Sequence, residues 1–356
     1  MKKIIIVTRS LFAGGAERVI AQLANYFASR NLKCEIITID KEKILYDLDD
    51  RIKITPIGKK SKLKIFDKIS RYGCLRRLIC KKGPDVVLSM PEDIGIYVLL
   101  SMVGTGVPVF VSERNNPWVM PDVTVTRFLR KIAYKFAKGI IFQTETAMSF
   151  FPKRIQRKGI VLDNPVDEHR IPVRYEGKRR KAIVSVGRLA KQKNFPLLIR
   201  SFYYFNQKHP GYSLEIYGDG AERDNLAHLI SKYDLDDSVQ LCGRKENVLD
   251  LISDAAMFVL PSDYEGMPNV LIEAMCMGMP VVSTDCMSGG PKKLILQKKN
   301  GVLVNVGSVS EMVRGMEYCA KEENALKIGN AAYKLREQLT RIEIFEAWYD
   351  YLFNCD

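Results

Sequence analysis

The chain has 356 residues, of which 47% are hydrophobic, with 24 Gly, 15 Pro and a formal net charge of +14. This length and composition exclude a disordered chain and leave room for two globular domains. Eight scattered cysteines without a Cys-x-x-Cys pair, together with only three histidines, exclude a disulfide framework and a zinc site and indicate reduced core cysteines in a cytoplasmic protein.

Apolar strands alternate with helices in the first half. The opening run 1–7 imitates a signal peptide, but Arg9 ends it too early, so it is predicted to be the first buried strand. We predict strands at 4–7, 35–39, 86–89, 109–111 and 140–142, and helices at 16–30, 94–103 and 125–137. The uncharged stretch 94–112 is broken by Gly and Pro into a helix and a strand, so no transmembrane helix is predicted.

The alternation restarts after a polar linker at 167–181. Strands are predicted at 182–186, 213–217, 239–241, 255–260 and 281–283, with helices at 195–208 and 223–233 and an aromatic helix at 342–352. Strands that alternate with helices form a parallel sheet covered by helices. We therefore predict an α/β protein with two Rossmann-like domains, at 1–168 and 169–340.

Positive charge is concentrated in the first half. Residues 1–180 carry 35 Lys+Arg against 18 Asp+Glu, net +17, whereas 181–356 carry 20 against 23, net −3. This asymmetry indicates an anionic partner for the first domain. The basic segments lack the aromatic interleaving of nucleic-acid-binding modules, so no nucleic-acid partner is expected.

The basic runs lie at 59–82 and 127–138. In the first run, apolar residues recur at roughly helical spacing, namely Phe66, Ile69, Leu75, Leu78 and Ile79. A basic amphipathic helix of this kind often lies on an anionic membrane surface, although a solvated face over the core fits equally well.

The most informative segment lies at 263–282. After an apolar strand and a loop, a helix is predicted to begin with Pro268 at its first position, where proline fits well. The capping position then falls on Met267, which has no side-chain oxygen. The amides of Asn269, Val270 and Leu271 are therefore left for water or for an anionic ligand.

Two glutamates flank this helix start, Glu265 in the loop and Glu273 in the helix. Such a pair alone would be two solvated carboxylates. With its neighbours it forms Glu-Gly-x-Pro-Asn-x-x-x-Glu-Ala-x-x-x-Gly-x-Pro-Val-Val, which resembles the signature of the retaining glycosyltransferases of family 4. The resemblance implies the GT-B fold, in which two Rossmann-like domains face each other across a cleft, with a C-terminal helix at 341–356 that returns toward the first domain.

The resemblance also implies roles for this segment. Glu273 would hold the ribose hydroxyls of a donor nucleotide, and Glu265 would contact the donor sugar. The backbone that would bind the donor phosphates comprises Gly266, Met267, Pro268, Asn269 and Val270.

A second phosphate-side element follows the first strand of the second half. Arg188 and Lys193 lie in the turn 186–194, at the carboxyl end of the predicted sheet, where ligands bind in open α/β folds. Two cations there would neutralise a diphosphate leaving group, although a solvated loop would carry the same residues. Gly-Arg-Leu with a lysine five residues after the arginine is a family 4 element, so the resemblance implies the phosphate role.

Three glycines and an arginine complete the predicted binding residues. Gly14 and Gly15 follow the first strand without forming the Gly-x-Gly-x-x-Gly dinucleotide fingerprint, which disfavours a nicotinamide enzyme. Matched to the family, they lie near the donor phosphates and the acceptor. Gly218 and Arg244 follow two later strands, which in the family lie by the base and the donor, although tight turns explain them nearly as well.

At the end of strand 109–111 the chain departs from the family. Many relatives place a histidine near the reacting carbon there, but no histidine precedes His169. The candidates in its place are Glu113, as a polar or basic partner of the acceptor hydroxyl, and Arg114, as a charge stabiliser. A salt bridge at the strand end is the structural alternative.

The resulting hypothesis is a retaining transfer of a hexose-type sugar to a glycan or lipid-linked acceptor in cell-surface polysaccharide assembly. The donor would be a nucleotide diphosphate sugar, with uracil as the base expected from the family. No Asp-x-Asp motif accompanies the glutamate segment, so neither a metal nor a cofactor is expected. The protein is expected in the cytoplasm, peripheral on the inner face of the membrane. A GT-B sugar-nucleotide epimerase and a non-catalytic sugar-nucleotide-binding subunit stay open as alternatives.

Overall fold

A computed structural model describes residues 1–12, 14–41, 43–166, 168–339 and 342–354, except for the side chains of 64, 65 and 68. The chain divides into two compact units, one of Met1–Val166 with Arg341–Asp356 and one of Asp167–Thr340. The boundary between the units follows residue 166, whereas the boundary predicted from the sequence follows residue 168. Within the C-terminal segment, 341, 355 and 356 lie outside the described residues.

The first unit is built on a parallel sheet with the strand order β3-β2-β1-β4-β5-β6-β7. Its strands are β1 (Lys3–Thr8), β2 (Lys33–Thr38), β3 (Lys53–Pro56), β4 (Val86–Ser89), β5 (Val109–Ser112), β6 (Gly139–Phe142) and β7 (Gly159–Val161). Its helices are α1 (Gly15–Ser29), α2 (Lys64–Lys82), α3 (Glu92–Met102), α4 (Thr124–Ala133), α5 (Glu145–Ser149), α6 (Lys153–Gln156) and, from the end of the chain, α15 (Ile342–Phe353).

The second unit repeats this arrangement with the strand order β10-β9-β8-β11-β12-β13. Its strands are β8 (Arg180–Val186), β9 (Ser213–Tyr217), β10 (Val239–Gly243), β11 (Ala255–Leu260), β12 (Val281–Thr284) and β13 (Val302–Val304). Its helices are α7 (Phe195–Lys208), α8 (Arg223–Lys232), α9 (Val248–Ile252), α10 (Asn269–Cys276), α11 (Gly290–Leu294), α12 (Val309–Ala320), α13 (Glu322–Tyr333) and α14 (Leu335–Leu339). Two doubly wound parallel sheets confirm the predicted α/β class.

Apolar runs explain why the central strands form. In β1, the side chains of Ile4, Ile5, Ile6 and Val7 are fully buried, because helices cover both faces of the sheet. Ile5 and Val7 face one core cluster, and Ile4 and Ile6 face the other. A strand buried on both faces has no polar alternation and is a nearly continuous apolar run in the sequence.

The sequence did not predict three edge strands. β3, β7 and β13 lie at the ends of their sheets and have only three or four residues each. Every residue of β3 and β7 is at least partly exposed, as expected for edge strands, so burial does not demand a continuous apolar run there. The predicted helix 125–137 also ends early, at Ala133, and a 3₁₀ turn, Tyr134–Phe136, continues it.

The C-terminal helix α15 packs on α1 and β4 of the first unit. Trp348 is fully buried there and its indole N–H donates to the carbonyl of Asp163 at 3.0 Å. The Tyr351 hydroxyl accepts from the amide of Ile140 at 3.0 Å. These contacts attach the end of the chain to β6 and to the loop after β7.

The distribution of charge follows the two units. The first unit carries 31 Lys+Arg against 19 Asp+Glu, net +12, and the second carries 24 against 22, net +2. The contrast is smaller than between the sequence halves, because the basic linker belongs to the second unit and the acidic C-terminal segment to the first. None of the described helices combines the length and apolar content that a membrane crossing needs.

Helix α2 does not present the single apolar face that its sequence suggested. Leu75 and Ile79 are fully buried in the core, whereas Phe66 and Ile69 are 62% and 63% exposed. The C-terminal half of α2 is thus a solvated helix over the core. The side chains of two of its predicted lysines, at 64 and 68, lie outside the described residues.

Candidate functional site

Each sheet has a topological switch point, where the order of its strands reverses. In the first unit it lies between β1 and β4, and in the second between β8 and β11. Loops that leave neighbouring strands in opposite directions open a crevice at the carboxyl edge, where ligands of open α/β sheets bind. An ion pair crosses this edge in both units, Arg9 with Asp93 in the first and Lys193 with Glu265 in the second.

The Lys193–Glu265 pair joins two residues that the sequence singled out separately. The Nζ atom of Lys193, in the loop after β8, lies 2.5 Å from Oε1 of Glu265, in the loop after β11. The Glu265 side chain is 8% exposed and that of Lys193 is 17% exposed. Both charges are thus held in place and largely desolvated, which strengthens their interaction with an incoming ligand.

Further hydrogen bonds fix the two loops to each other. The amide of Asp263 donates to the carbonyl of Gln192 at 2.9 Å, and the side chain of Gln192 donates to the carbonyl of Tyr264 at 2.8 Å. The side-chain amide of Asn194 donates to the carboxylate of Asp263 at 2.6 Å while its oxygen caps α7. The two loops at the switch point of the second unit are therefore held together by hydrogen bonds of the protein itself.

Three residues that hold the loop of Glu265 and Gly266 in place were not predicted from the sequence. The hydroxyl of Ser262 donates to Glu265 Oε1 at 2.6 Å, and the hydroxyl of Ser288 donates to the Glu265 carbonyl. Gly290 lies so close to the carbonyl oxygen of Gly266 that a Cβ atom at 290 would be 1.6 Å from it. The segment Ser-Gly-Gly-Pro, which follows strand β12 at the same edge of the sheet, could have indicated Ser288 and Gly290.

Gly290→Ala is expected to displace the Gly266 loop. No rotamer relieves a backbone clash at this distance, so the loops must move apart, at a cost of about 1–3 kcal/mol in the free energy of unfolding. If this loop binds the donor phosphates that the sequence resemblance implies, uridine diphosphate should bind at least tenfold more weakly, as measured by calorimetric titration. Gly73→Ala is the matched control, because a Cβ atom there meets nothing within 4 Å. Unchanged affinity in Gly290→Ala would show that the loop does not touch the ligand.

The start of α10 differs from the prediction. The helix begins at Asn269, and its N-cap residue is Pro268, with φ −77° and ψ 105°. Met267, which was predicted to be the N-cap residue, therefore precedes the cap. The extended ψ of Pro268 is incompatible with the first helical position. The amide of Leu271, predicted to be free, donates to the Pro268 carbonyl at 3.1 Å. The dipole of α10 still points its positive end at the loop of Glu265 and Gly266.

Glu273 and Arg188 contribute opposite charges to this edge of the second unit. Glu273 lies one turn into α10 and is 7% exposed. Arg188 follows β8 and is exposed, and none of the described residues accepts a hydrogen bond from its guanidinium or forms an ion pair with it. An exposed cation next to a buried ion pair is suited to an anionic ligand that arrives from solvent.

The positions of Gly218 and Arg244 have a structural explanation as well. Gly218 has φ +141°, and a Cβ atom there would lie 1.9 Å from the carbonyl oxygen of Gly187. Its amide donates to the carbonyl of Gly243 at 2.9 Å. Gly218 thus allows three neighbouring loops of the sheet edge to pack backbone to backbone, and Arg244 is exposed directly after the third.

In the first unit, the glycine loop begins α1. Gly14 is the N-cap residue of α1, with φ 152° and no side-chain cap, and Gly15 is the first residue of the helix. The backbone of Gly14 is held at both ends by the Tyr46 hydroxyl, which accepts from its amide at 3.0 Å and donates to its carbonyl at 2.8 Å. Residue 13, which precedes the two glycines, lies outside the described residues.

Glu113 does not have the surroundings of a catalytic base. Its side chain is fully buried; Oε1 accepts from Arg130 Nη1 at 2.5 Å, and Oε2 accepts from the Tyr134 hydroxyl at 2.5 Å. Burial raises the pKa of Glu113 to about 7, against the attraction of Arg130. A pKa near neutrality alone would suit a base, but an acceptor cannot reach a carboxylate that α4 covers. These contacts are those of the salt bridge at the strand end, which the sequence left open as the structural alternative.

Arg114 lies beside it in a polar cluster at the same edge. Its Nη2 donates to Asn164 Oδ1 at 2.8 Å, and its amide donates to Glu92 at 3.3 Å. Burial lowers the pKa of Arg114 to about 10, although Glu92 and Glu17 oppose this. Burial also raises the pKa of Glu92. The loop after β5 is thus held by buried polar contacts on both sides.

Among the described residues, no group of three or more His, Cys, Asp or Glu side chains is arranged to hold a metal ion. The buried thiol of Cys286, near Ser262, has its pKa raised to about 12 by burial. Cys286 is thus a packing residue of the site.

Comparison with known proteins decides the family. Residues 168–335 match the family model for glycosyl transferases group 1, and residues 10–144 match the model described as glycosyl transferase 4-like. The lipopolysaccharide core biosynthesis glycosyltransferase LpsE of Rhizobium meliloti is 32% identical over 321 residues, covering 85% of each chain. The chain belongs to the group 1 glycosyltransferases. The family 4 signature is compatible with this assignment.

Other relatives of this glycosyltransferase cover nearly its whole length. An N-acetylgalactosamine-N,N'-diacetylbacillosaminyl-diphospho-undecaprenol 4-alpha-N-acetylgalactosaminyltransferase of Campylobacter jejuni is 29% identical over 369 residues, covering 97% of this chain and 96% of the relative. The crystal structure of Anabaena Alr3699/HepE in complex with UDP superposes with a TM-score of 0.82 at 16% identity, covering 99% and 100% of the two chains. That likeness confirms the GT-B fold of this glycosyltransferase.

Proposed function

We propose that this glycosyltransferase moves a hexose-type sugar from a uridine diphosphate sugar to a hydroxyl of a lipid-linked glycan, with retention of the anomeric configuration. The observation that carries the proposal is the Lys193–Glu265 pair at the switch point, with the exposed guanidinium of Arg188 in the same loop. Two cations and a buried carboxylate on rigid loops match a ligand that has both a diphosphate and a sugar.

In the proposed reaction, the acceptor oxygen attacks the anomeric carbon from the face on which the phosphate leaves. The bond between that carbon and the phosphate oxygen breaks, and the leaving phosphate takes the proton of the acceptor hydroxyl. Arg188 and Lys193 stabilise the charge that develops on the diphosphate. Because Glu265 and Glu273 lie in one short segment, both serve to bind the donor, and neither acts as the facing carboxylate of a glycosidase.

The remaining donor contacts are assigned along the same edge of the second unit. Glu273 holds the ribose hydroxyls, and Glu265 contacts the sugar. The residues assigned to the phosphates and the base are Gly218, Arg244, Gly266, Met267, Pro268, Asn269 and Val270.

The acceptor side is assigned to the carboxyl edge of the first unit. Gly14 and Gly15 let a ligand approach the backbone there, and Arg114 supplies positive charge. Two observations support a lipid-linked acceptor at an anionic membrane surface on the cytoplasmic side. They are the net charge of +12 on the first unit and the diphospho-undecaprenol named in the Campylobacter jejuni relative.

Binding of the donor is tested by thermal unfolding with and without uridine diphosphate. At a ligand concentration a hundredfold above Kd, wild type should gain about 2.7 kcal/mol of stability. We expect Glu273→Gln, which keeps the shape of the side chain, to lose most of this gain, and Glu246→Gln, an exposed glutamate near the same edge, to keep it. No stabilisation of wild type by any nucleotide diphosphate or sugar nucleotide would overturn the proposal.

The proposed reaction needs no metal ion, so turnover of the sugar nucleotide should be unchanged by a chelator. Release of uridine diphosphate, followed with and without acceptor, is the measurement. A loss of activity in chelator that Mg²⁺ or Mn²⁺ restores would contradict metal independence. Conversion of the donor without any acceptor would instead favour a sugar-nucleotide epimerase.

A further inference from the structure

Helix α4 has its apolar side chains on the outside. Val125, Phe128 and Ile132 follow one another at helical spacing and are 65%, 62% and 37% exposed, and Phe136, one turn further on, is 54% exposed. We call these four residues the α4 stripe. A surface helix of a soluble protein normally buries such a stripe.

The inner face of α4 carries the polar residues instead. Arg130 is 1% exposed, and besides Glu113 it donates to the carbonyls of Pro117 and Met120, both at 2.8 Å. The hydroxyl of the fully buried Tyr134 completes the cluster on Glu113. A buried ion pair with this many partners fixes the orientation of α4, so the helix cannot turn its stripe inward without leaving Arg130 unpaired.

Positive charge borders the stripe. Between 118 and 138 the chain has five Lys+Arg and a single Asp, and Lys131, Lys135 and Lys138 are exposed. Exposed apolar residues flanked by lysines are the pattern of a helix that lies in the plane of an anionic membrane interface. A second copy of this chain fits less well, because a two-fold contact would place these lysines opposite each other.

The surface continues at both ends of the helix. After β5 the chain leaves the carboxyl edge of the sheet, and it returns to the amino edge to begin β6, so α4 spans the height of the sheet. At the carboxyl edge, the exposed Trp118, Val119 and Val123 precede the stripe. At the amino edge, Phe136 lines an open cavity of about 450 Å³.

We propose that the α4 stripe, with Trp118, Val119 and Val123, is the surface by which the first unit docks on an anionic lipid bilayer. The proposal rests on the proposed function, because the lipid-linked acceptor is what requires docking. It places the membrane next to the carboxyl edge that carries Arg114, where the acceptor is assigned. It also places the membrane contact on α4 instead of α2, for which the sequence left a membrane contact and a solvated face equally open and whose Leu75 and Ile79 are buried in the core.

The test is sedimentation of the full chain with vesicles of phosphatidylglycerol and phosphatidylcholine, and with vesicles of phosphatidylcholine alone. The stripe variant is Val125→Ser/Phe128→Ser/Ile132→Ser. The matched control is Val173→Ser/Tyr204→Ser/Leu326→Ser, three exposed apolar residues of the second unit. We expect wild type and control to bind the anionic vesicles and the stripe variant to bind at least tenfold more weakly. A third variant is Lys131→Gln/Lys135→Gln/Lys138→Gln. It should bind the anionic vesicles more weakly than wild type, and its binding should depend less on the salt concentration.

Failure of wild type to bind anionic vesicles, or equal binding by the stripe variant, would overturn the proposal. Self-association of wild type in sedimentation velocity, abolished in the stripe variant and without vesicle binding, would assign the surface to a second copy instead. Stabilisation by uridine diphosphate is measured on the same preparations. Because the substituted side chains are exposed, all variants should keep the wild-type melting temperature and nucleotide response. Vesicle binding without any nucleotide response would overturn the proposed function while the docking surface stands.

Discussion

Lys193→Met should lower kcat/KM by about a thousandfold, equivalent to about 4 kcal/mol of transition-state stabilisation. Its ammonium lies 2.5 Å from Oε1 of Glu265 and its side chain is 17% exposed, so in the proposed donor site its charge would act on the diphosphate in partly desolvated surroundings. Methionine keeps most of the unbranched side chain and removes the charge together with the hydrogen bond to Glu265. The measurement is the initial rate of uridine diphosphate release over a range of donor concentrations.

The control for this variant lies in the same loop. Lys191→Met removes an exposed charge two residues away, which has no ion pair among the described residues, and should change kcat/KM by less than about threefold. A Lys193→Met enzyme within tenfold of wild type would show that the Lys193–Glu265 pair only holds the loops together. A rise in KM with kcat unchanged would show binding of the donor without stabilisation of the leaving group.

Glu113→Ala should lower the free energy of unfolding by about 3–5 kcal/mol, because it leaves the guanidinium of Arg130 buried without a counter-charge. Arg130 is 1% exposed and the Glu113 side chain fully buried, so water cannot replace the lost carboxylate without opening α4. Urea denaturation followed by circular dichroism measures the effect. Asp122→Ala, in the exposed segment before α4, should cost less than about 0.5 kcal/mol.

A double variant separates the structural role of Glu113 from the chemical one. Glu113→Leu/Arg130→Met removes both charges and should recover part of the lost stability. If Glu113 only positions α4 and the loop after β5, the folded double variant keeps turnover within about tenfold of wild type. If Glu113 were the base, turnover would fall by about a hundredfold or more even in the folded protein.

The central strands could be predicted because burial on both faces of the sheet requires a continuous apolar run, and the long helices because their buried residues recur at helical spacing. Strands β4, β9 and β11 have the bounds that the sequence predicted, since each lies inside its sheet. The edge strand β3 contains Lys53 and Thr55 and has no such signal. The start of α10 was misplaced by one residue, because proline is accepted both as first helical residue and as N-cap, and only ψ distinguishes them.

Candidate site residues could be predicted from the sequence only where residue types suited to the chemistry occur at the spacing of a motif. Lys193 and Glu265 were predicted separately, from two segments 72 residues apart. Their contact follows from the strand order of the sheet, which no local sequence pattern encodes. Ser262 and Ser288 were missed because serines at strand ends are common. The contact of Glu113 with Arg130 was not predicted, because Arg130 comes from α4, where the exposed apolar stripe makes the buried face hard to recognise.

The position of α15 has a consequence for synthesis of the chain on the ribosome. The first unit combines residues 1–166 with α15, so the surface of α1 and β4 that receives Trp348 stays uncovered until α15 has left the exit tunnel. By then the whole second unit has been made and is free to fold. Nascent chains stalled before 342 would expose Phe27 and Phe110, which makes them targets for chaperones and proteases. Completion of the first unit thus waits for the synthesis of α15, which follows that of the whole second unit.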